Sequence, residues 1–124
     1  MVTRVVVCVF SCALVWSEAV AFTDAEFCAY AEELARRING GSPDKIGEGL
    51  TLEGALVTCG SKSFEFRKRA DVVMQLGWRK ERQKMWSQVV CKDRFLEASR
   101  NGWIIAEAMS FADGQQIVTY ANCD

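Results

Sequence analysis

The chain contains no histidine in 124 residues. Histidine is the side chain that ordinarily changes charge near neutral pH, and it is the commonest metal ligand. Its absence removes the usual general base and the usual zinc donor. No C-x-x-C pair is present, and beyond residue 21 no two cysteines stand at knuckle spacing, which argues against a zinc site or a thioredoxin-like redox role. The chain also lacks a G-x-S-x-G elbow and a glycine-rich phosphate loop. Asn39, Asn101 and Asn122 are each followed by residues that break the N-x-S/T sequon. Beyond residue 21 there is no long apolar run, so nothing there predicts a membrane span. These absences leave no catalytic motif, no metal and no cofactor to predict.

What is present begins with an export signal. Arg4 is a positive n-region and Val5 to Trp16 an apolar run interrupted only by Ser11. Ser17-Glu18-Ala19-Val20-Ala21 then reads as a polar stretch ending in an A-x-A cleavage site. The apolar run is shorter than the roughly 20 residues that a span needs, which favours a cleaved signal over an anchor. The expectation is a signal over residues 1–21 and one small domain over 22–124, either periplasmic or secreted. The missing sequon suits a bacterial periplasm somewhat better than a eukaryotic secretory route.

Four cysteines remain after the signal, namely Cys28, Cys59, Cys91 and Cys123, at intervals of 31, 32 and 32 residues. In an oxidising compartment they are expected to pair as two disulfides.

The reading along the chain gives α-β-β-β-α-α-β-β. Thr23 and Glu26 form a capping box, flanked by Phe22 and Phe27 as a hydrophobic staple. Phe27, Ala31, Leu34 and Ile38 then recur at helical spacing, and Asn39-Gly40-Gly41 stops the helix. Residues 47–69 read as short strands, with a turn at Glu53-Gly54 and alternation at Phe64 and Phe66. Asp71 is the expected cap of a second helix. Its apolar stripe is Met74, Trp78, Met85 and Val89, with Trp86 and Val90 beside it and Gly77 as a point of kink or late start. Arg82 falls within that stripe, so it is expected to pack its stem there and seek a buried carboxylate. Asp93 is the expected cap of a third, short helix ended by Asn101-Gly102, and Asp113-Gly114 joins a final hairpin.

The two halves run in step. Cys28, a helix, Asn39-Gly40, Glu53-Gly54 and Cys59 are matched by Cys91, a helix, Asn101-Gly102, Asp113-Gly114 and Cys123. A duplicated α-β-β unit would explain this and so would chance, since Asn-Gly and Asp-Gly are common punctuation. If the unit is real, the bridges are Cys28–Cys59 and Cys91–Cys123, one of three possible connectivities. The overall expectation is an α+β domain with an antiparallel sheet, two to three helices and two disulfides.

The stretch Gly77 to Trp86, followed by Cys91, Asn101-Gly102-Trp103 and Asp113-Gly114, resembles a group of small exported four-cysteine proteins of unassigned function in proteobacteria. Cys59 and Phe64-Glu65-Phe66 extend the likeness upstream. The resemblance implies a periplasmic or secreted bacterial setting and carries no catalytic residue.

Charge is the uneven feature. Residues 67–84 hold seven basic and two acidic side chains, a net +5, whereas the rest of the expected mature chain has seven basic and thirteen acidic, a net −6. Arg67, Lys68, Arg69, Arg79, Lys80 and Lys84 are therefore candidates for binding an anionic envelope component or an acidic protein. The competing reading is a solvated helix face with its tryptophans turned inward. Nucleic acid would suit the charge but not an exported protein. Glu48, Glu53 and Glu65 are the candidates for a carboxylate-dependent hydrolase, against the plainer reading of surface carboxylates. The sequence favours a non-enzymatic exported binding protein. A structural or stress-stability envelope protein is the alternative, and a small hydrolase the second alternative.

Overall fold

The computed structural model describes residues 21–124. The expected signal, residues 1–21, lies outside the described residues except for Ala21. The described residues form three helices and one five-stranded sheet, in the expected order.

Helix α1, Asp24–Gly40, starts as its capping box predicts. The Glu26 amide donates to Thr23 Oγ1 at 3.1 Å, and the Thr23 hydroxyl donates to the Glu26 carboxylate at 3.2 Å. Phe22 and Phe27 close the staple with ring centroids 6.1 Å apart. Phe27, Ala31 and Ala35 are buried, and Leu34 and Ile38 flank them, so the apolar stripe faces the sheet.

Strand β1, Asp44–Gly47, is short and wholly exposed, and it pairs with β2, Leu50–Thr58. The turn between them is Glu48-Gly49, with Gly49 at φ +66°, and not Glu53-Gly54 as expected. Glu53-Gly54 lies inside β2 as a bulge, where the pairing with β3, Ser63–Ala70, slips by one residue. The bulge has a partner on α1. Asn39 donates from Nδ2 to the Ala55 carbonyl at 3.0 Å and accepts from the Ala55 amide at 2.8 Å. A Cβ on Gly54 would stand 2.8 Å from Asn39 Oδ1, so only glycine admits this close approach.

Helix α2, Trp78–Val90, begins late, after Gly77 at φ +85°. Asp71 does not cap it. The Asp71 amide donates to the Gly49 carbonyl at 2.9 Å, and the chain bends there and runs irregularly to Gly77 before the helix starts. The stripe also differs from the expected one. Trp78, Arg82, Trp86 and Val90 face inward, while Met85 and Val89 are exposed. Both stripes satisfy the helical period, and the contacts of Trp86 and Arg82 with the sheet select between them. Helix α3, Asp93–Arg100, has Lys92 and not the expected Asp93 at its N-cap, since Asp93 is already its first helical residue, and it leads into the hairpin of β4, Ile104–Ser110, and β5, Gln116–Tyr120. Its turn is Asp113-Gly114 as predicted, with Gly114 at φ +90° and the Gln115 amide bonded to Asp113 Oδ1 at 3.1 Å.

The strand order is β1-β2-β3-β4-β5. The sheet is mixed instead of antiparallel throughout, because β3 and β4 run parallel. A hairpin would have reversed the chain, but the two-helix crossover of α2 and α3 returns it to the end where β3 began. The α+β class, the three helices and the bridges Cys28–Cys59 and Cys91–Cys123 are as expected, with Cα separations of 5.8 and 5.3 Å. The units α1-β1-β2 and α3-β4-β5 share order and strand direction, and each bridge ties a helix start to the end of its hairpin. The likeness stops at topology, since β1 is an exposed edge of 4 residues and β4 a buried strand of 7.

One sheet face carries the core. Ala55 and Val57 from β2, Phe64 and Phe66 from β3 and Ile105 from β4 meet Phe27, Phe95 and Trp86 from the helices. A smaller cluster of Ala70, Met109, Phe111 and Ile117 is covered by Met74 and Trp78. On the opposite face Leu56, Ile104, Val118 and Tyr120 are exposed.

Candidate functional site

The alternation of β3 divides the basic segment. Arg67 and Arg69 lie on the open face of the sheet and Lys68 on the face under the helices. Arg67 Nε meets Glu65 at 2.9 Å. Arg69 spans Glu53 at 2.6 Å and Asp71 at 3.4 Å. These arginines are neutralised on the strand surface, and two of the hydrolase candidates, Glu53 and Glu65, are their partners.

Lys68 points at Glu107, which is fully buried in the middle of β4. Its Nζ stands 2.8 Å from Glu107 Oε2 and 4.8 Å from the centre of the Trp86 ring. Arg82 comes from α2 onto both oxygens of the same carboxylate, Nε to Oε1 at 2.7 Å and NH2 to Oε2. This is the buried carboxylate that the position of Arg82 required. Burial alone would raise the Glu107 carboxyl. The hydrogen bonds from Arg82 and Lys68 outweigh it and hold the group below its ordinary value. The Trp86 indole donates to the Ile105 carbonyl at 3.3 Å, which fixes the ring beneath Lys68. Glu107 escaped sequence reasoning, although it is the lone charge in the apolar run from Trp103 to Phe111.

Arg79, Lys80 and Lys84 remain. All three are exposed on the first turns of α2, and among the described residues none forms an ion pair. Glu81 is the one acidic residue between them. Three of the six candidate cations thus stand free on α2, with Lys80 and Lys84 one turn apart on its outer face and Arg79 on the side of Arg82 and Trp86, and the other three are in ion pairs.

A second small network sits at the other end of the sheet. Asp24 accepts from Lys62 at 3.0 Å and from the Trp103 indole at 3.0 Å, and these bonds, Lys62 first, hold its carboxyl below the ordinary value. Beside it a cleft of about 470 Å³ is lined by Phe22, Glu26, Phe27, Arg94 and Glu97, among others. Glu48, Glu53 and Glu65 do not line it, so the three carboxylates share no cleft there. Glu48 stands apart in the β1–β2 turn. Cys28, Glu32 and Cys59 come within ligand distance of one another, but both sulfurs are committed to a disulfide. Among the described residues no helix is long and apolar enough to cross a membrane.

Two solved structures share the fold. One, assigned as secreted, comes from Pseudomonas aeruginosa and aligns with a TM-score of 0.63 at 15% identity, over 83% of this chain and 95% of its own. The other is the pilotin EpsS of the Vibrio vulnificus type 2 secretion system, with a TM-score of 0.60 at 13% identity, over 81% of this chain and 91% of its own. No protein-family profile matches the chain, and no curated protein matches it in sequence.

Proposed function

We propose that this is an exported, non-enzymatic binding protein whose site is the exposed N-terminal half of α2, where Arg79, Lys80 and Lys84 contact an anionic envelope component. One observation carries the reading: these three cations stand exposed and unpaired among the described residues, while Arg67, Lys68, Arg69 and Arg82 are engaged with Glu65, Glu107, Glu53 and Asp71. Free charges at a surface attract over about a Debye length, roughly 8 Å at physiological salt. Export is supported by the two disulfides and by the likeness to a protein assigned as secreted. The absence of histidine and the pairing of all four cysteines beyond residue 21 support a role without catalysis.

The fold shared with a type 2 secretion pilotin favours a second reading, in which the same face meets an acidic protein of a secretion apparatus. Retention of the oxidised protein on anionic vesicles, lipopolysaccharide and an acidic glycan across a salt series tests the basic face. The comparison is Arg79→Gln/Lys80→Gln/Lys84→Gln at unchanged thermal stability. Retention that weakens with salt and drops in the variant supports the site, and equal retention of both forms on every surface rejects it. Recovery of an acidic protein with the parent, but not with the variant, selects the second reading.

A further inference from the structure

Between β3 and α2 the chain runs Asp71-Val72-Val73-Met74-Gln75-Leu76-Gly77, and its apolar side chains divide. Met74 turns inward with Trp78 onto the cluster of Ala70, Met109, Phe111 and Ile117. Val72, Val73 and Leu76 turn outward and are 57%, 51% and 101% exposed. Leu76 has no more cover than a free side chain, an arrangement that a folded domain gains nothing from in water alone.

The loop is held at several points. The Ala112 amide donates to the Val72 carbonyl at 3.0 Å, and the Trp78 amide to the Gln75 carbonyl at 3.1 Å. The Trp78 ring meets Phe111 edge-on at 4.8 Å. The exposed tips are therefore presented by an anchored turn. Gly77, at φ +85°, then swings the chain directly into α2, so Arg79 and Lys80 follow Leu76 within four residues and Lys84 one turn later. Four acidic groups lie nearby: Asp71 is paired with Arg69, Glu81 lies among the cations, and Glu48 and Asp113 sit in the neighbouring turns.

We infer that Val72, Val73 and Leu76 insert into the interfacial layer of an anionic lipid bilayer while Arg79, Lys80 and Lys84 rest on its phosphates. The inference rests on the basic-face reading above and narrows its anionic component to lipid. Exposed apolar tips followed directly by exposed cations match the two demands of a bilayer surface, an apolar layer beneath a negatively charged one. Three side chains on a turn offer far less than the roughly 1,000 Å² that a specific protein interface buries.

The test is flotation of the oxidised protein, as recovered after export, with phosphatidylglycerol–phosphatidylethanolamine vesicles and with phosphatidylcholine vesicles. The parent is expected on the anionic vesicles. Val73→Ser/Leu76→Ser should bind them about tenfold more weakly with an unchanged salt dependence, since both side chains are solvated in the free protein and their loss leaves the fold intact. Arg79→Gln/Lys80→Gln/Lys84→Gln should lose most of its binding and its salt dependence. Leu76→Trp should gain fluorescence that lipids brominated near the headgroup quench more strongly than they quench the parent. Equal binding of the serine variant and the parent, with Leu76→Trp unquenched, overturns insertion and leaves the basic face standing. Equal binding of the charge variant and the parent overturns the basic face as the lipid contact, and no binding by any form overturns the lipid inference while leaving the basic face to the lipopolysaccharide and glycan series.

Discussion

Replacing Glu107 by glutamine removes the one negative charge that two cations share beneath the helices. The side chain of Glu107 is 0% exposed, and those of Lys68 and Arg82 are 11% and 17% exposed. Breaking a buried ion pair from one side costs about 3–5 kcal/mol, because the partner is left charged and poorly solvated. Here two cations are stranded, but each keeps some access to water, so about 3 kcal/mol is expected for Glu107→Gln. In a domain of this size that lowers Tm by roughly 12–20 °C. Arg82→Met should cost less, about 2 kcal/mol, since Lys68 still holds the carboxylate. Replacing all three by leucine or methionine should return stability to near the parent, because no buried charge remains.

The pH dependence has a definite sign. The folded-state carboxyl of Glu107 titrates below its unfolded value, roughly 4.3. Its contribution is therefore complete above that value and fades as pH falls through the lower, folded value. Urea unfolding of the oxidised parent and Glu107→Gln between pH 7 and pH 2 reads both effects. The gap between the two proteins should be widest at pH 7 and close in acid. A gap under about 1 kcal/mol at pH 7, or a larger loss for Arg82→Met than for Glu107→Gln, would refute the shared-charge account.

Other outcomes follow from single contacts. Gly54→Ala should lower stability by about 1–3 kcal/mol in thermal melts, since its Cβ meets Asn39 Oδ1 at 2.8 Å, and Asn39→Ala should relieve much of that penalty; an unchanged melt for Gly54→Ala would show that the bulge is free to shift. Removing either bridge by paired serine substitution should cost about 3–4 kcal/mol, because each closes a loop of similar length, with sequence separations of 31 and 32. Peptide mapping of the unreduced protein should give only Cys28–Cys59 and Cys91–Cys123. The intact mass of the exported protein should match a chain beginning at Phe22, and a mass retaining Ala21 or earlier residues would displace the predicted cleavage site.

Local signals were legible wherever one or two neighbours decide the outcome. Thr23 and Glu26 capped α1, Asp113-Gly114 turned the final hairpin, and the matched halves pointed to the pairing that forms, one of three possible. The order of elements followed from periodicity and punctuation. Glu53-Gly54 misled because glycine marks a bulge as readily as a turn, and Asn39, on a separate helix, decides which. Asp71 misled because a capping side chain is useful only if the next residues are helical, and here the Gly49 carbonyl takes its amide first.

The candidate site was half legible. Composition alone marked residues 67–84 as basic, and the helical wheel assigned Arg82 a buried carboxylate. Which cations remain free is a tertiary matter, because it depends on strands and helices far apart in the chain. Strand alternation sends Lys68 under the helices, the parallel pairing of β3 with β4 places Glu107 beside it, and α2 then rotates Arg82 onto the same carboxylate. The α+β class, the staples and the excess of charge depend on residue type and spacing, so they could be read along the chain. The direction of β4, the inward face of α2 and the isolation of Arg79, Lys80 and Lys84 could not, because each is chosen by packing between segments that share no local signal.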